Sequence, residues 1–390
     1  MAVVQWLCYL FAMTNQRMDV DVNAQLEYAE TLASRLYTDP QVLESEKERI
    51  FRRTWQLVGT LRQSCGEVNG VKRTIADPES FFTVDVAGEP VVVVRDAQGT
   101  LRAFSNVCRH RAGPIAQGAG CRKVLNCGYH GWTYTLDGRL IGTPEVEGME
   151  FFDRSKMGMV PLRCKTWQEF IFVNFAAEGP SLTEHLGNIP ELAREFPFEG
   201  LAVTERRDYV VNCNWKVYVD NYLEGYHIPI VHPGLMKEID YPRYRCETFR
   251  YHSRQLGPVK EVKQGEGRDR VYLPGVGLRE ALYFWVFPNL MLNFYPDNVQ
   301  TNVIVPLGCD KTLTIFEWYF HDGDSAQAQE RAAKAIAFSD VVQQEDMQIC
   351  EAVQKGLRSS TYDRGRYSVK RENGVHHFHR LLAEFLKNGK

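Results

Sequence analysis

The chain carries two hydrophobic rhythms, and the change between them divides it. Leu26, Ala29, Leu32, Ala33 and Leu36 recur at three- and four-residue spacing, so residues 23–54 are expected to be helical, with Asp39-Pro40 as a break. A strand-rich stretch follows. Gln56-Leu-Val-Gly-Thr-Leu61, Phe81-Phe-Thr-Val-Asp-Val86 and Pro90-Val-Val-Val-Val-Arg95 are rich in β-branched and aromatic residues, and Asp96-Ala-Gln-Gly99 and Asp137-Gly138 read as hairpin turns. After Leu162 the units lengthen: a strand at 170–175, a proline-interrupted helix at 181–195, strands at 281–292, 300–306 and 312–320, and a helix over 325–356. The pattern predicts an α+β chain in three parts: an N-terminal segment at 1–44 whose helix packs on the third part, a small β domain at 45–165, and a larger α+β domain at 166–390.

Composition narrows the class. A length of 390 residues suggests two domains, and 44% hydrophobic with 24% charged residues is ordinary for a globular protein. A net charge of −3 with no block of like charges predicts neither a nucleic acid nor an anionic surface as partner. The ten cysteines show no disulfide-framework spacing, which predicts a reducing cytoplasm. Residues 1–13 are apolar but lack a basic start and a small-residue cleavage site, and fall short of the roughly 20 residues a bilayer requires. With Met13 and Met18 following, they read either as an over-extended translation start or as a genuine short segment.

Cys108-Arg-His110 is followed, after sixteen residues, by Cys127-Gly-Tyr-His130. Two Cys and two His in this order can hold a Rieske [2Fe–2S] cluster, in which one iron keeps two thiolates and the other takes two imidazoles. The competing reading is a Cys2His2 zinc site, although zinc fingers place both Cys in one short pair and both His in the other. Glycine-punctuated loops, Cys108 to Gly113 and Asn126 to Trp132, would bring backbone N–H groups to the sulfurs and leave the imidazoles near the surface.

A second constellation lies at Asn214 to Pro233. Asp220, Glu224 and His227 fall at i, i+4 and i+7, which places them on one helix face, and Pro229 is expected to end that helix where His232 turns back. Two imidazoles plus a distant carboxylate would form the 2-His-1-carboxylate triad of mononuclear non-haem Fe(II). Asp346 and Glu345 are the candidates for that carboxylate. His376, His377 and His379 are read as structural, in a terminal helical stretch.

Together these motifs resemble the Rieske non-haem iron oxygenases. Glu224, Asn214-Trp-Lys and the ending from Gly365 to His379 are most similar to the branch that oxidises choline, glycine betaine, carnitine and stachydrine, and the likeness runs from about residue 45 to the end. It implies a small β Rieske domain and a larger, helix-grip-like catalytic domain with an antiparallel sheet. It also implies Cys108, His110, Cys127 and His130 on the cluster, and His227, His232 and Asp346 on Fe(II), with Glu345 as the nearest competitor. Glu224, where many members acting on aromatic rings have Asp, would pass electrons from the cluster histidine His130 of one subunit to His227 of its neighbour in a ring-shaped homotrimer. Asp220 joins it as a catalytic candidate.

The implied activity is O2-dependent hydroxylation or N-demethylation of a small quaternary ammonium compound, with no membrane or nucleic-acid partner. A separate flavin/iron–sulfur reductase would bring electrons from NAD(P)H, because the chain has neither a dinucleotide-binding glycine fingerprint nor a plant-type ferredoxin cysteine run. Aromatic faces would hold the cation; of Tyr283, Trp285, Phe287, Phe294, Tyr295 and Trp318, up to three are expected in the pocket wall. The alternatives are an aromatic-ring mono- or dioxygenase and a Rieske electron carrier. Respiratory Rieske proteins add a Cys to each cluster loop; residues 109–113 contain none, and Cys121 has no evident partner in the sequence.

Overall fold

The computed structural model describes residues 20–194, 196–258, 260, 280–295, 298–321 and 326–388. The apolar start at 1–13 lies outside them.

Among the described residues, one seven-stranded antiparallel sheet runs in the order Gln56–Thr60, Phe170–Asn174, Pro161–Trp167, Leu101–Ser105, Glu89–Arg95, Ser80–Val86, Ala119–Cys121. The run Val91 to Val94 is fully buried because its two faces feed different cores. Val92 and Val94 pack with Phe81, Phe104 and the cluster loops, whereas Val91 and Val93 pack with Val58, Phe82 and Ile171. Phe170–Asn174 sits between two strands of this sheet, so the domain boundary expected at 165 falls inside a hydrogen-bonded unit. A small three-stranded sheet, Val124–Asn126, Thr133–Thr135 and Leu140–Gly142, carries the second cluster loop.

A second seven-stranded antiparallel sheet runs Ala202–Val211, Lys311–Phe320, Asn298–Gly308, Leu290–Phe294, Glu280–Val286, His252–Pro258, Arg245–Thr248. The single strand expected at 281–292 is two strands, because Phe287-Pro288 lies at a turn between them, and proline cannot serve a central ladder. On one face Leu282, Phe284, Leu292 and Phe294 pack with Phe170 and Phe172 of the first sheet and with Leu186 and Ile189, which joins the two units through one core.

Residues 23–54 are not one helix. Short turns at Leu26–Tyr28 and Arg35–Thr38 precede α1 (Pro40–Arg49), which starts where a break was expected. Asp39 caps it by accepting Gln41 N–H at 2.9 Å, and Pro40 stands in the first turn, where its missing N–H costs nothing. The region expected at 181–195 is likewise two short helices, Leu182–Leu186 and Ile189–Leu192, separated at Gly187. Ala29, Leu32, Leu36, Val42 and Leu43 pack in the core of the second domain.

The helices that matter most for the site are α2 (Trp215–Tyr222), α3 (Ile228–Val231), α4 (Pro233–Glu238), α5 (Ala326–Leu357) and α6 (Asn373–Asn388). Gln343, Asp346, Cys350 and Gln354 form a stripe on α5 at helical spacing and face α2. Gln354 accepts Asn214 N–H at 2.7 Å, Tyr218 donates to Gln343, and Asn221 donates to Asp346 at 2.6 Å.

Candidate metal centres and active site

The four residues of the first motif come together at the tips of two loops. Cys108 and Cys127 are 3% exposed, while His110 and His130 are exposed with ring centroids 4.6 Å apart. The first loop closes when Cys108 N–H donates to Gly113 and Ala112 N–H to Cys108; the second closes through Cys127 N–H to Trp132 and Gly131 N–H to Cys127. Gly131, at φ +71°, takes a backbone conformation that suits glycine, and a Cβ on Gly113 would stand 3.2 Å from the Cys127 sulfur. Trp132 stacks on His110 at 4.9 Å, and the Tyr134 hydroxyl lies 3.3 Å from the Cys108 sulfur.

Burial, together with the neighbouring Cys108 thiol, pushes the Cys127 thiol above its ordinary pKa. Partial desolvation where the two loops meet, with the nearby His110 and Arg111, lowers the pKa of the otherwise exposed His130 imidazole and so favours the neutral form that can ligate. Thiols that resist ionisation in water become thiolates against a metal cation. A buried sulfur pair beside an exposed imidazole pair suits a cluster with two kinds of iron, and differs from one tetrahedral ion at which all four donors converge.

The second motif does converge. Donor atoms of His227, His232 and Asp346 all lie within 4.8 Å of one another, with Asp346 Oδ1 at 3.0 Å from His232 Nε2 and 3.7 Å from His227 Nε2. The far side of each imidazole is held by its own carboxylate: Glu224 Oε1 accepts from His227 Nδ1 at 2.6 Å, and Glu345 Oε2 from His232 Nδ1 at 2.7 Å. Both rings are thereby fixed in the tautomer that leaves Nε2 as a lone pair facing Asp346. His232 is almost fully buried, which opposes protonation, yet Asp346 and Glu345 raise its pKa. Two imidazoles and one carboxylate, with no thiolate, fit Fe(II).

The elements that carry these donors differ from the sequence expectation. No helix runs through to His227, because α2 ends at Tyr222. His227 instead caps α3, where Pro229 stands near the start rather than the end, and His232 lies at the α3–α4 junction. Glu224 turns back in the intervening loop to accept the backbone N–H groups of Tyr226 and His227. Asp220, one helical turn before Glu224, faces the opposite way: it accepts from Tyr37 Oη at 2.7 Å and bonds His379 Nε2 at 2.8 Å. Its carboxylate belongs to a structural knot, completed by Tyr367 Oη at 2.6 Å from His379 Nδ1, and it does not line the metal cavity. His376 bonds the Asn23 carbonyl instead, so the terminal histidines have separate partners.

Beside the three donors opens a cavity of about 960 Å³. The second sheet supplies one wall, to which Tyr283, Asn293, Gln300, Asn302, Phe316 and Trp318 contribute; α2 to α5 supply the other. Tyr283, Tyr295 and Trp318 thus line it as expected, while Phe294 is turned to the opposite sheet face by strand alternation, and Trp285 and Phe287 are buried against Phe378 and Phe385 of α6. The sequence reading did not single out Tyr218, Tyr222, Tyr244 or Phe316, which also line it.

A Rieske [2Fe-2S] domain model matches residues 68–153, and a model of the ring hydroxylating alpha subunit catalytic domain matches residues 198–388. A choline monooxygenase of Arabidopsis thaliana is 37% identical over 382 residues, which cover 95% of this chain and 86% of that protein.

The chain belongs to the Rieske-type oxygenases.

It is therefore an oxidoreductase of the kind that incorporates O2, with the α+β fold expected. The oxygenase is also 30% identical to the carnitine monooxygenase oxygenase subunit of Acinetobacter pittii, covering 95% of this chain and 99% of that one. The structure of the quaternary ammonium Rieske monooxygenase CntA in complex with L-carnitine matches with a TM-score of 0.79 at 29% identity, over 95% of this chain and 99% of that one. A naphthalene 1,2-dioxygenase at 18% identity and TM-score 0.72, covering 94% and 95% of the two chains, shares the fold. No helix among the described residues of the oxygenase is long and apolar enough to cross a membrane.

Proposed function

We propose that this oxygenase inserts one atom of O2 into a C–H bond of a small quaternary ammonium compound. The observation that carries the reading is that the rings of Tyr283, Tyr295, Phe316 and Trp318 line the same cavity as His227, His232 and Asp346. An aromatic face attracts a cation electrostatically, which suits a nitrogen that has no N–H to donate. The choline- and carnitine-oxidising relatives support this substrate class over an aromatic ring.

Cys108, His110, Cys127 and His130 would hold the [2Fe–2S] cluster, and His227, His232 and Asp346 the Fe(II). When bound, these groups supply one-electron transfer and O2 activation. The chain's own residues do the rest. Glu224 and Glu345 keep the Nδ1 protons of His227 and His232 away from the metal side, Asn221 steadies Asp346, and the aromatic wall orients the ammonium group. Glu224 would also meet the partner subunit's His130 in a homotrimer and couple the two centres across the interface.

The net reaction takes R–H, O2, two electrons and two protons to R–OH and water. Oxidation at an alcohol carbon gives an aldehyde hydrate; oxidation at an N-methyl group gives a hemiaminal that collapses to formaldehyde and the demethylated amine. The electrons come from NAD(P)H through a separate flavin/iron–sulfur reductase. A reducing compartment such as the cytoplasm suits the nine described cysteines, all free. The test is turnover by iron-loaded, reduced protein of choline, glycine betaine and carnitine against benzoate. Oxidised ammonium products are expected, and oxidation of benzoate alone would overturn the reading.

A further inference from the structure

We infer that Asn302 is a specificity-determining residue that donates a hydrogen bond to an oxygen on the arm of the substrate, so that the cavity selects quaternary ammonium compounds bearing a hydroxyl or carboxylate. The inference rests on the quaternary ammonium reading above and deepens it.

Three polar side chains are wired in series across the sheet wall. Tyr222 Oη donates to Asn293 Oδ1 at 2.6 Å, and Asn293 Nδ2 donates to Asn302 Oδ1 at 2.7 Å. The first distance fixes the direction of the relay. Of the two acceptors in reach of this hydroxyl, Asn293 Oδ1 at 2.6 Å is much the nearer, and the Phe284 carbonyl lies at 3.2 Å. Tyr222 therefore gives its proton to the carbonyl of Asn293, Asn293 must turn its amide N–H groups toward Asn302, and Asn302 must accept through its carbonyl. What remains of Asn302 is a donor: its Nδ2 has no acceptor among the described residues.

Asn293 and Asn302 are each 4% exposed, and both line the cavity. They belong to adjacent strands, where Asn302 pairs with Met291 and Asn293 with Gln300, so the sheet holds them on its cavity face. Asn302 lines the cavity, so a substrate oxygen there would accept from its amide N–H. A substrate lacking that oxygen gains only the attraction of the aromatic faces. This asymmetry is how a buried polar group discriminates more sharply than an apolar wall.

The test is calorimetric binding to the iron-loaded oxygenase of choline, glycine betaine and tetramethylammonium, which has no oxygen arm. In Asn302→Leu, binding of choline or glycine betaine should weaken tenfold or more while that of tetramethylammonium stays within twofold. Asn293→Leu removes the acceptor's anchor and leaves Asn302 in the chain; it should weaken the oxygen-bearing ligands in the same selective way. Whichever of choline or glycine betaine loses more identifies the arm that Asn302 meets. Equal losses for all three ligands, or no loss in either variant, would overturn the inference. If the unaltered protein binds none of the three, the quaternary ammonium reading itself falls, and this inference with it.

Discussion

Glu345 Oε2 accepts from Nδ1 of His232 at 2.7 Å, on the opposite edge of the ring from Asp346, whose Oδ1 lies 3.0 Å from Nε2. Adjacent residues on α5 thus meet opposite edges of one imidazole: Asp346 lies on the side proposed for Fe(II), and Glu345 holds the ring from behind. Asp346→Ala should abolish iron at the mononuclear site while leaving the cluster's absorption intact. Glu345→Ala should weaken iron binding about 10- to 100-fold, the usual cost of losing such a partner, and Glu345→Gln should fall between the variant and the parent. Metal analysis after dialysis against graded chelator measures all three.

Under the proposed function, Glu224 would serve electron transfer without being a ligand. Glu224→Gln should retain three irons per chain and an unaltered cluster spectrum, yet slow reoxidation of the reduced cluster by O2 plus substrate about 10- to 100-fold in stopped flow. Asp220→Asn, in contrast, should lower thermal stability through the Tyr37–His379 knot and leave that rate within a few-fold in protein that remains folded.

The difference between Asp220 and Glu224 shows what the sequence could and could not reveal. The pairing of the two Cys–His loops and of His227 with His232 was legible, because their spacings are short and each loop folds locally. Reading Asp220 into the site assumed an unbroken helix, and α2 stops at Tyr222, so the two carboxylates point to different neighbourhoods. Asp39-Pro40 read as a break for a similar reason: a capping Asp before a Pro begins a helix as readily as it ends one. Glu345 and Asn221 have partners 113 and 125 residues away, set by tertiary packing that periodicity does not encode, and Asn302 meets Asn293 only once the register of two adjacent strands is set. Tyr283 and Trp285 share a strand face, so alternation could not separate them; Trp285 is taken from the cavity by Phe378 of α6, a partner 93 residues away that periodicity does not reveal.

Acid should destabilise the fold through a buried histidine. His185 is 2% exposed and bonds the Phe287 carbonyl at 2.7 Å, and burial pushes its pKa down to about 4. The unfolded chain takes up this proton near its ordinary value of about 6.5. Between those values the unfolded state binds more protons, so stability is full above about 6.5 and falls as pH drops toward 4. At pH 5 the loss from this group is about 2 kcal/mol, and His252 and His377, also pushed down to about 4, act in the same direction. Urea unfolding at pH 7 and pH 5 checks the sign; His185→Gln should narrow the gap between them.

Lys216 and Glu46 form a buried ion pair at 2.6 Å, each side chain 1% exposed, and Trp215 Nε1 donates to the same carboxylate at 2.8 Å. The pair ties α1 to α2, the helix that carries Asn221. Lys216→Met should cost about 3–5 kcal/mol by stranding the Glu46 charge, and adding Glu46→Gln should restore much of it. Denaturant melts of the single and double variants measure the recovery.

The central claim is tested most directly by one turnover of iron-loaded, chemically reduced oxygenase with choline, glycine betaine and carnitine under 18O2, followed by mass spectrometry. The account predicts oxidation of at least one of these cations, with a single labelled oxygen delivered to the oxidised carbon as an aldehyde hydrate or as formaldehyde. No product from any quaternary ammonium compound, alongside labelled product from an aromatic acid, would contradict it.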